Sequence, residues 1–129
     1  MNGIEAVILD TNAVIEMLNN KFTAVVFEKY FSNTAVCISV ITQIELLGYP
    51  DISDDEEIKI KNFLSDISII NIDDIIIEIA ISIKRNKHKK IKLPDAIVAA
   101  TAIALNAALI TKDNDLLKLK YDKLRTWTF

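Results

Sequence analysis

Apolar residues along the chain follow two alternating patterns. Short apolar runs rich in β-branched residues predict strands, at residues 4–9, 36–38, 68–72, 107–110 and 124–127. The segments between them carry apolar residues three and four positions apart, as at Val14, Ile15 and Leu18, and this spacing predicts helices. Further helices are predicted around residues 23–31, 41–47, 58–64 and 76–83, followed by an alanine-rich helix opened by Leu93-Pro94-Asp95.

Strands that alternate with helices and are apolar on both faces are typical of a sheet covered on both sides. The pattern predicts an α/β fold, a three-layer α/β/α sandwich around a mostly parallel sheet of four to five strands. A chain of 129 residues has room for one domain with a substantial core, and no linker or repeat divides it. We therefore expect a single domain over residues 1–129.

Composition narrows the class of protein. About half of the residues are hydrophobic (51%), and only two Gly and two Pro are present, as in an ordered globular protein. The net charge of −3 excludes a domain that binds nucleic acid through a strongly basic overall surface. The N-terminus lacks the features of a secretory signal, and the longest apolar stretch, 96–105, is too short to span a bilayer. We expect a soluble, cytoplasmic protein with no membrane partner.

Four acidic residues are expected at one edge of the predicted sheet. Asp10 ends the first strand, and Asp113 lies just past the strand at 107–110. Asp95 falls in the first turn of the alanine-rich helix, and Glu45 lies within the helix after the second strand. Ligands of open parallel sheets bind beyond the carboxyl ends of the strands, where these segments converge.

Each acid also has a structural interpretation. Asp10 could cap the helix that follows it, and Asp95 could complement the helix dipole. Asp113 and Asp115 could form a turn. Glu45 is flanked by apolar residues, where an inward-facing charge is costly unless it is paired, although one helical turn could also place it in solvent.

Together the acids match the needs of a hard divalent cation. Mg²⁺ and Mn²⁺ prefer oxygen ligands, and carboxylates held close together repel one another unless a cation neutralises them. A zinc site is disfavoured because His88 is the only histidine and Cys37 the only cysteine. Cys37 is expected to be a buried thiol without a disulfide partner.

Four motifs in order resemble those of the PIN domain family, and in particular VapC-type toxins, the ribonuclease half of bacterial toxin–antitoxin pairs. They are Ile-Leu-Asp-Thr-Asn at 8–12, Ser-Val-Ile-Thr-Gln-Ile-Glu-Leu-Leu at 39–47, Pro-Asp-Ala-Ile-Val-Ala-Ala-Thr-Ala at 94–102 and Leu-Ile-Thr-Lys-Asp-Asn-Asp-Leu at 109–116. The resemblance implies a Rossmann-like sandwich and Mg²⁺- or Mn²⁺-dependent endoribonuclease activity.

By motif, the resemblance assigns the acidic positions to Asp10, Glu45, Asp95 and Asp113. Of these, Asp10 and Asp95 are expected as primary metal ligands, while Glu45 and Asp113 complete the shell or activate the attacking water. The fourth position is divided between Asp113 and Asp115; Asp113 is favoured because it is nearer the strand end.

Polar residues beside the acids are matched as well. Thr11 and Asn12 correspond to residues that orient the first acid, and Thr111 resembles the hydroxyl residue that precedes the fourth. The segment after the glutamate, Gly48-Tyr49-Pro50, keeps the family's glycine in a shifted context.

A basic run precedes the Asp95 helix. Its cations are Lys84, Arg85, Lys87, Lys89, Lys90 and Lys92. Such a run is commonly a solvated face, but its place next to an acidic site also suits contact with an RNA backbone. His88 within it is interpreted as a surface residue.

The expected partners are an RNA substrate, a small antitoxin protein that inserts a segment near the acids, and a second copy of the chain in a homodimer. The antitoxin and the homodimer follow from the resemblance. Two alternatives remain within the family, namely a housekeeping RNA-processing nuclease and a catalytically silent binding module. A phosphorelay receiver is disfavoured because Leu9, not an acid, precedes Asp10, and because Glu45 and Asp95 lie on helices.

Overall fold

A computed structural model describes residues 6–86 and 90–129. Its strands are β1 (Ala6–Leu9), β2 (Ala35–Ser39), β3 (Ser68–Ile70), β4 (Ala108–Ile110) and β5 (Arg125–Trp127). Its helices are α1 (Thr11–Asn19), α2 (Lys21–Phe31), α3 (Val40–Leu47), α4 (Asp54–Leu64), α5 (Asp74–Lys84), α6 (Leu93–Ala104) and α7 (Asn114–Leu117).

The five strands form one sheet in the order β3-β2-β1-β4-β5, and every neighbouring pair is parallel. β1 is central, with β2 on one side and β4 on the other. The chain therefore builds the sheet outward from β1 in one direction and then, through β4, in the opposite direction. The crevice between β1 and β4 is the point where this direction reverses, which is where ligands bind in open α/β sheets.

Both faces of the sheet are buried, as the strand pattern predicts. Along β1, Val7 and Leu9 belong to the core under α1 and α2, whereas Ile8 belongs to the core under α5 and α6. Successive residues of a strand point to opposite faces, so one short apolar run supplies both cores. The α/β sandwich with a parallel sheet is confirmed.

Small side chains let α6 lie close to the sheet. Ala96, Ala99, Ala100 and Ala102 are fully buried in the core that also contains Ile8. A helix with methyl side chains on its packed face can approach its neighbours closely, which brings the first turn of α6 near the end of β1. The position of Asp95 depends on this packing.

Element boundaries differ from the sequence prediction in places. The second strand is two residues longer than the predicted core of Val36 to Ile38, and the third ends at Ile70, before the predicted limit. The helix α7 was not predicted, because its four residues are too few to show a periodic pattern. Residues 4 and 5 of the first predicted strand lie outside the described residues.

Two helices begin with sequence signals that are typical of helix starts. Ser53 and Glu56 form a capping box, each side chain accepting a hydrogen bond from the backbone of the other. Pro94 lies in the first turn of α6. Among the helices of the described residues, none is long and apolar enough to cross a membrane.

Candidate active site

A small cavity opens at the carboxyl edge of the sheet, beside the crevice between β1 and β4. Its volume is about 180 Å³. Seven residues line it: Asp10, Thr11, Asn12, Glu45, Asp95, Val98 and Asp113. The four acids that the motifs single out therefore share one cavity, although they come from four separate segments of the chain.

Asp10 is held rigidly at the end of β1. Its backbone N–H donates to the carbonyl of Ile110 across the crevice (3.1 Å), which continues the pairing of β1 with β4. Its Oδ1 accepts the N–H of Ala13 (2.8 Å), so Asp10 caps α1, and its Oδ2 accepts the hydroxyl of Thr111. The capping and site interpretations of Asp10 are thus compatible, because the two carboxylate oxygens have different partners.

Burial opposes the charge of Asp10. Its side chain is only 6% exposed, and desolvation raises the pKa of its carboxyl. The hydrogen bonds from Thr111 and Ala13 act in the opposite direction, while the charges of Asp113 and Glu45 add to the increase. A nearby cation would relieve both the desolvation and the repulsion.

Glu45 faces the same cavity from α3. The hydroxyl of Thr11 donates to its Oε1 at 2.6 Å, which ties α3 to the start of α1. The residue is exposed, so the carboxylate reaches the cavity from its solvent side rather than from the apolar interior. An inward charge among apolar neighbours is avoided in this way.

Asp113 caps α7 with one oxygen. Its Oδ1 accepts the N–H of Asp115 (2.7 Å) and that of Leu116 (3.3 Å). Its own N–H donates to the hydroxyl oxygen of Thr111 at 2.9 Å. Because the same hydroxyl donates to Asp10, Thr111 links the first and fourth acidic segments. Asp115 is exposed and is not among the residues that line the cavity.

Asp95 differs from the other three acids. It lies in the first turn of α6, where it is partly buried, and its carboxylate accepts no hydrogen bond within the described part of the chain. Burial, followed by repulsion from Asp113, Asp10 and Glu45, raises its pKa from 3.8 to about 6, while Lys92 acts in the opposite direction. Asp95 is therefore the acid whose charge the protein compensates least.

The donor set suits a hard cation. The acidic cavity supplies carboxylate oxygens, which Mg²⁺ and Mn²⁺ prefer. In their present positions, no three acidic, histidine or cysteine side chains of the described residues form a ready-made metal-binding group. The carboxylates repel one another, and this repulsion contributes to the raised pKa of Asp95. A bound cation would neutralise the repulsion and allow the carboxylates to come closer together.

The basic run lies only partly within the described residues. Lys87, His88 and Lys89 are outside them. Lys84 ends α5, and its Nζ donates to the carbonyl of Ile91 at 2.6 Å, so this cation helps to hold the segment that leads into α6. Arg85, Lys90 and Lys92 are exposed, and Lys92 is close enough to Asp95 to lower its pKa.

Two residues near the site were not predicted from the sequence. Val98 lines the cavity one helical turn after Asp95, and this i+3 spacing could have revealed it. Glu16 accepts the hydroxyl of Thr23 (2.9 Å) and contacts the Nζ of Lys112 (3.3 Å), which joins α1 and α2 to the turn between Thr111 and Asp113. No motif marks Glu16, because its partners come from distant segments.

The sequence matches one protein-family model, and the structure resembles several solved structures. The family model "PIN domain" matches residues 7–121. A search of curated proteins found no match. The solved structures that resemble the chain include VapBC2 from Rickettsia felis, bound to a DNA fragment from the VapBC2 promoter. The sequence identity is 23%, and the match covers 96% of this chain and 98% of the other with a TM-score of 0.83.

Two further structures resemble the chain over almost its full length. A toxin–antitoxin complex from Klebsiella pneumoniae shares 27% identity over 92% of this chain and 98% of the other, with a TM-score of 0.72. DNA-bound VapBC from Salmonella typhimurium shares 21% identity over 97% and 98%, with a TM-score of 0.78. At 23% and 21% identity, the Rickettsia and Salmonella structures show a common fold.

Replacing Asp95 by Asn should stabilise the metal-free protein at pH 7.5. The pKa of Asp95 is about 6 in the folded protein and has an ordinary value of 3.8. Between these pH values the native state binds more protons than the unfolded state, so the stability of the wild type falls as the pH rises from about 4 to about 6. Because solvent screens part of the repulsion, we expect a gain of about 1 kcal/mol, or a Tm increase of about 2–8 °C. Thermal unfolding in chelator at several pH values measures this gain.

Asp66→Asn is the matched control, since this exposed acid lies outside the cavity. It should change Tm little at any pH. Added Mg²⁺ or Mn²⁺ should raise the Tm of wild type by preferential binding to the native state, and should raise that of Asp95→Asn much less. A metal-free Asp95→Asn variant no more stable than wild type at pH 7.5 would contradict the assigned repulsion.

Proposed function

Because the chain belongs to the PIN domain family, we propose that it is a divalent-metal-dependent endoribonuclease, the VapC-type toxin of a toxin–antitoxin pair. The observation that carries the proposal is the convergence of four carboxylates on one cavity at the crevice between β1 and β4. Family membership supports a nuclease. The toxin role is supported by the likeness to the VapBC and toxin–antitoxin complexes described above.

In this proposal Asp10 and Asp95 hold Mg²⁺ or Mn²⁺. Asp10 is fixed by its bonds to Ala13 and Thr111, and Asp95 has a carboxylate without a competing hydrogen bond in the described residues. When bound, the ion would lower the pKa of a water molecule and neutralise charge on the phosphate group.

The remaining polar residues position the acids and handle the proton. Thr11 holds Oε1 of Glu45, so that Glu45 can accept a proton from the attacking water. Two backbone amides hold Oδ1 of Asp113, which directs the carboxylate toward the cavity and lets it complete the set of oxygen ligands. Asn12 lines the cavity and would orient a neighbouring carboxylate or phosphate oxygen through its amide.

The proposed protein partner is a small antitoxin. The solved structures that resemble this chain include complexes described as VapBC or toxin–antitoxin. A basic segment of such a partner would complement the acidic cavity and compete with the cation for the same carboxylates. Because the proposed substrate is cellular RNA, we place the protein in the cytoplasm.

We also propose a homodimer. The outer face of α5 exposes several isoleucines, with Ile75 64% exposed, and a groove of about 380 Å³ lies between α5 and α6. The apolar lining of this groove includes Ile77, Ile81 and Leu93, all of which are exposed. Large contiguous apolar patches are uncommon on monomeric soluble proteins, and a second copy of the chain would cover this one.

Purified protein should cleave RNA in Mg²⁺ or Mn²⁺, and excess chelator should abolish the activity. Asp95→Asn and Asp113→Asn should each lower the cleavage rate by about 10²-fold or more, because each removes a charge from the metal-binding set. Asp115→Asn is the control, since Asp115 lies outside the cavity, and it should keep most of the activity. Cleavage that survives both chelator and Asp95→Asn would exclude a metal-dependent nuclease centred on these acids.

The exposed lysines before α6 should contact the RNA backbone. The double variant Lys90→Gln/Lys92→Gln should weaken RNA binding and reduce the slope of log affinity against log salt by about 1.4, or about 0.7 for each lost phosphate contact on a single strand. Titrations of labelled RNA at several salt concentrations measure the slope. The α2 variant Lys21→Gln/Lys29→Gln removes the same charge elsewhere; equal effects of the two variants would refute a local contact.

Charges on the exposed face of α5 should disrupt the homodimer. In sedimentation equilibrium, Ile75→Lys/Ile81→Lys should raise the dimer dissociation constant by about 10-fold or more, because each lysine would be desolvated in the interface. Ile58→Lys changes an equally exposed isoleucine on α4 and should leave the constant unchanged. A wild-type protein that sediments as a monomer at all concentrations would rule out the dimer.

A further inference from the structure

A second groove adjoins the acidic cavity and shares two of its residues. Thr11 and Glu45, which are joined by the 2.6 Å hydrogen bond, line both. The groove has a volume of about 420 Å³. From Thr11 it continues along α1 as far as Leu18 and Asn19, a distance of about 10 Å at 1.5 Å per residue. A ligand in this groove would therefore lie directly beside the four acids.

Three helical segments give the groove an apolar centre with polar positions around it. The apolar residues are Ile15 and Leu18 from α1, Leu46 from α3 and Ile60 from α4. Tyr49, which follows the end of α3 and is 56% exposed, supplies an aromatic ring.

Polar groups lie at two places away from the acids. Asn19 contributes an amide that can both donate and accept hydrogen bonds, and α4 contributes Lys59, whose ammonium group is exposed. The lining thus combines an apolar centre and an aromatic ring with a hydrogen-bonding amide and one cation.

We propose that this groove binds an unpaired base of the RNA strand next to the phosphate that the acidic cavity attacks, with Tyr49 as the stacking residue. The inference rests on the proposed nuclease function. Proteins that read single-stranded RNA stack splayed bases on aromatic side chains and bond their edges. A divalent cation held by the four acids would bind one phosphate directly, and Lys59 on α4 could pair with the next, so the base between them would lie on the apolar centre.

The volume of the groove fits a single base. It is at the lower end of the range of about 300–1,000 Å³ for small-molecule sites. Glu56, which also lines the groove on the α4 side, accepts the N–H of Ser53 through its Oε1 at 3.0 Å. One oxygen of the carboxylate near Lys59 is therefore already hydrogen-bonded in the cap of α4.

The test is the binding of a fluorescently labelled single-stranded hexaribonucleotide, followed by anisotropy in chelator and in Ca²⁺. Tyr49→Ala should raise the dissociation constant by about 5- to 100-fold, the usual effect of losing one stacked base, and Tyr49→Phe should bind like wild type. Phe22→Ala is the matched control, because Phe22 is 76% exposed on α2 and does not line the groove.

A second measurement separates stacking from a general loss of structure. A series of oligonucleotides, each with one abasic position, should include one that binds wild type about 5- to 100-fold more weakly than the intact strand. The same oligonucleotide should lose little further affinity for Tyr49→Ala, because the stacking partner is already absent.

Several outcomes would overturn the inference. Wild-type affinity of Tyr49→Ala for RNA would do so, as would an abasic penalty of equal size in both proteins. Unchanged RNA binding by Tyr49→Ala together with weaker antitoxin binding would assign the groove to a peptide. If wild type cleaves RNA but Tyr49→Ala binds it normally, only this inference fails; if wild type neither binds nor cleaves RNA, the proposed function fails with it.

Discussion

Mutual repulsion among four carboxylates is the constraint that the structure must satisfy at its carboxyl edge. Three of the acids are stabilised by specific hydrogen bonds: Asp10 by Ala13 and Thr111, Glu45 by Thr11, and Asp113 by two amides of α7. Asp95 has no such bond in the described residues, and burial, followed by repulsion from the other three acids, raises its pKa to about 6. The electrostatic cost therefore falls on Asp95 and on the buried Asp10, whose pKa is raised as well.

The sheet provides the rigidity that this arrangement requires. β1 is paired on both sides and buried on both faces, and the bond from Asp10 N–H to the carbonyl of Ile110 continues its pairing beyond the strand end. α6 can bring Asp95 to the same place because its packed face consists largely of alanine. The core and the site are therefore connected through the same few elements.

Much of this arrangement follows from local sequence, and the remainder depends on distant segments. The strands and long helices are predictable because each apolar run or stripe has its own period, and Asp10 could be placed at an edge because it follows such a run. Between Asp113 and Asp115 the sequence indicates only a preference for Asp113 from its distance to the strand end, because the capping of the short α7 and the exposure of each carboxylate depend on the folded structure. The groove beside Tyr49 was equally hidden, because residues from three helical segments form it.

The double role of Asp10 affects how this chain can vary. One of its oxygens begins α1 through Ala13, and asparagine caps helices about as well as aspartate does. An asparagine at this position would keep an oxygen for the N–H of Ala13 while removing one negative charge from the cavity, and its amide nitrogen would donate to the hydroxyl oxygen of Thr111 instead of accepting from it. Loss of chemistry and loss of fold are therefore separable at a single residue, so a lineage could silence the site and still retain a folded protein for any binding role.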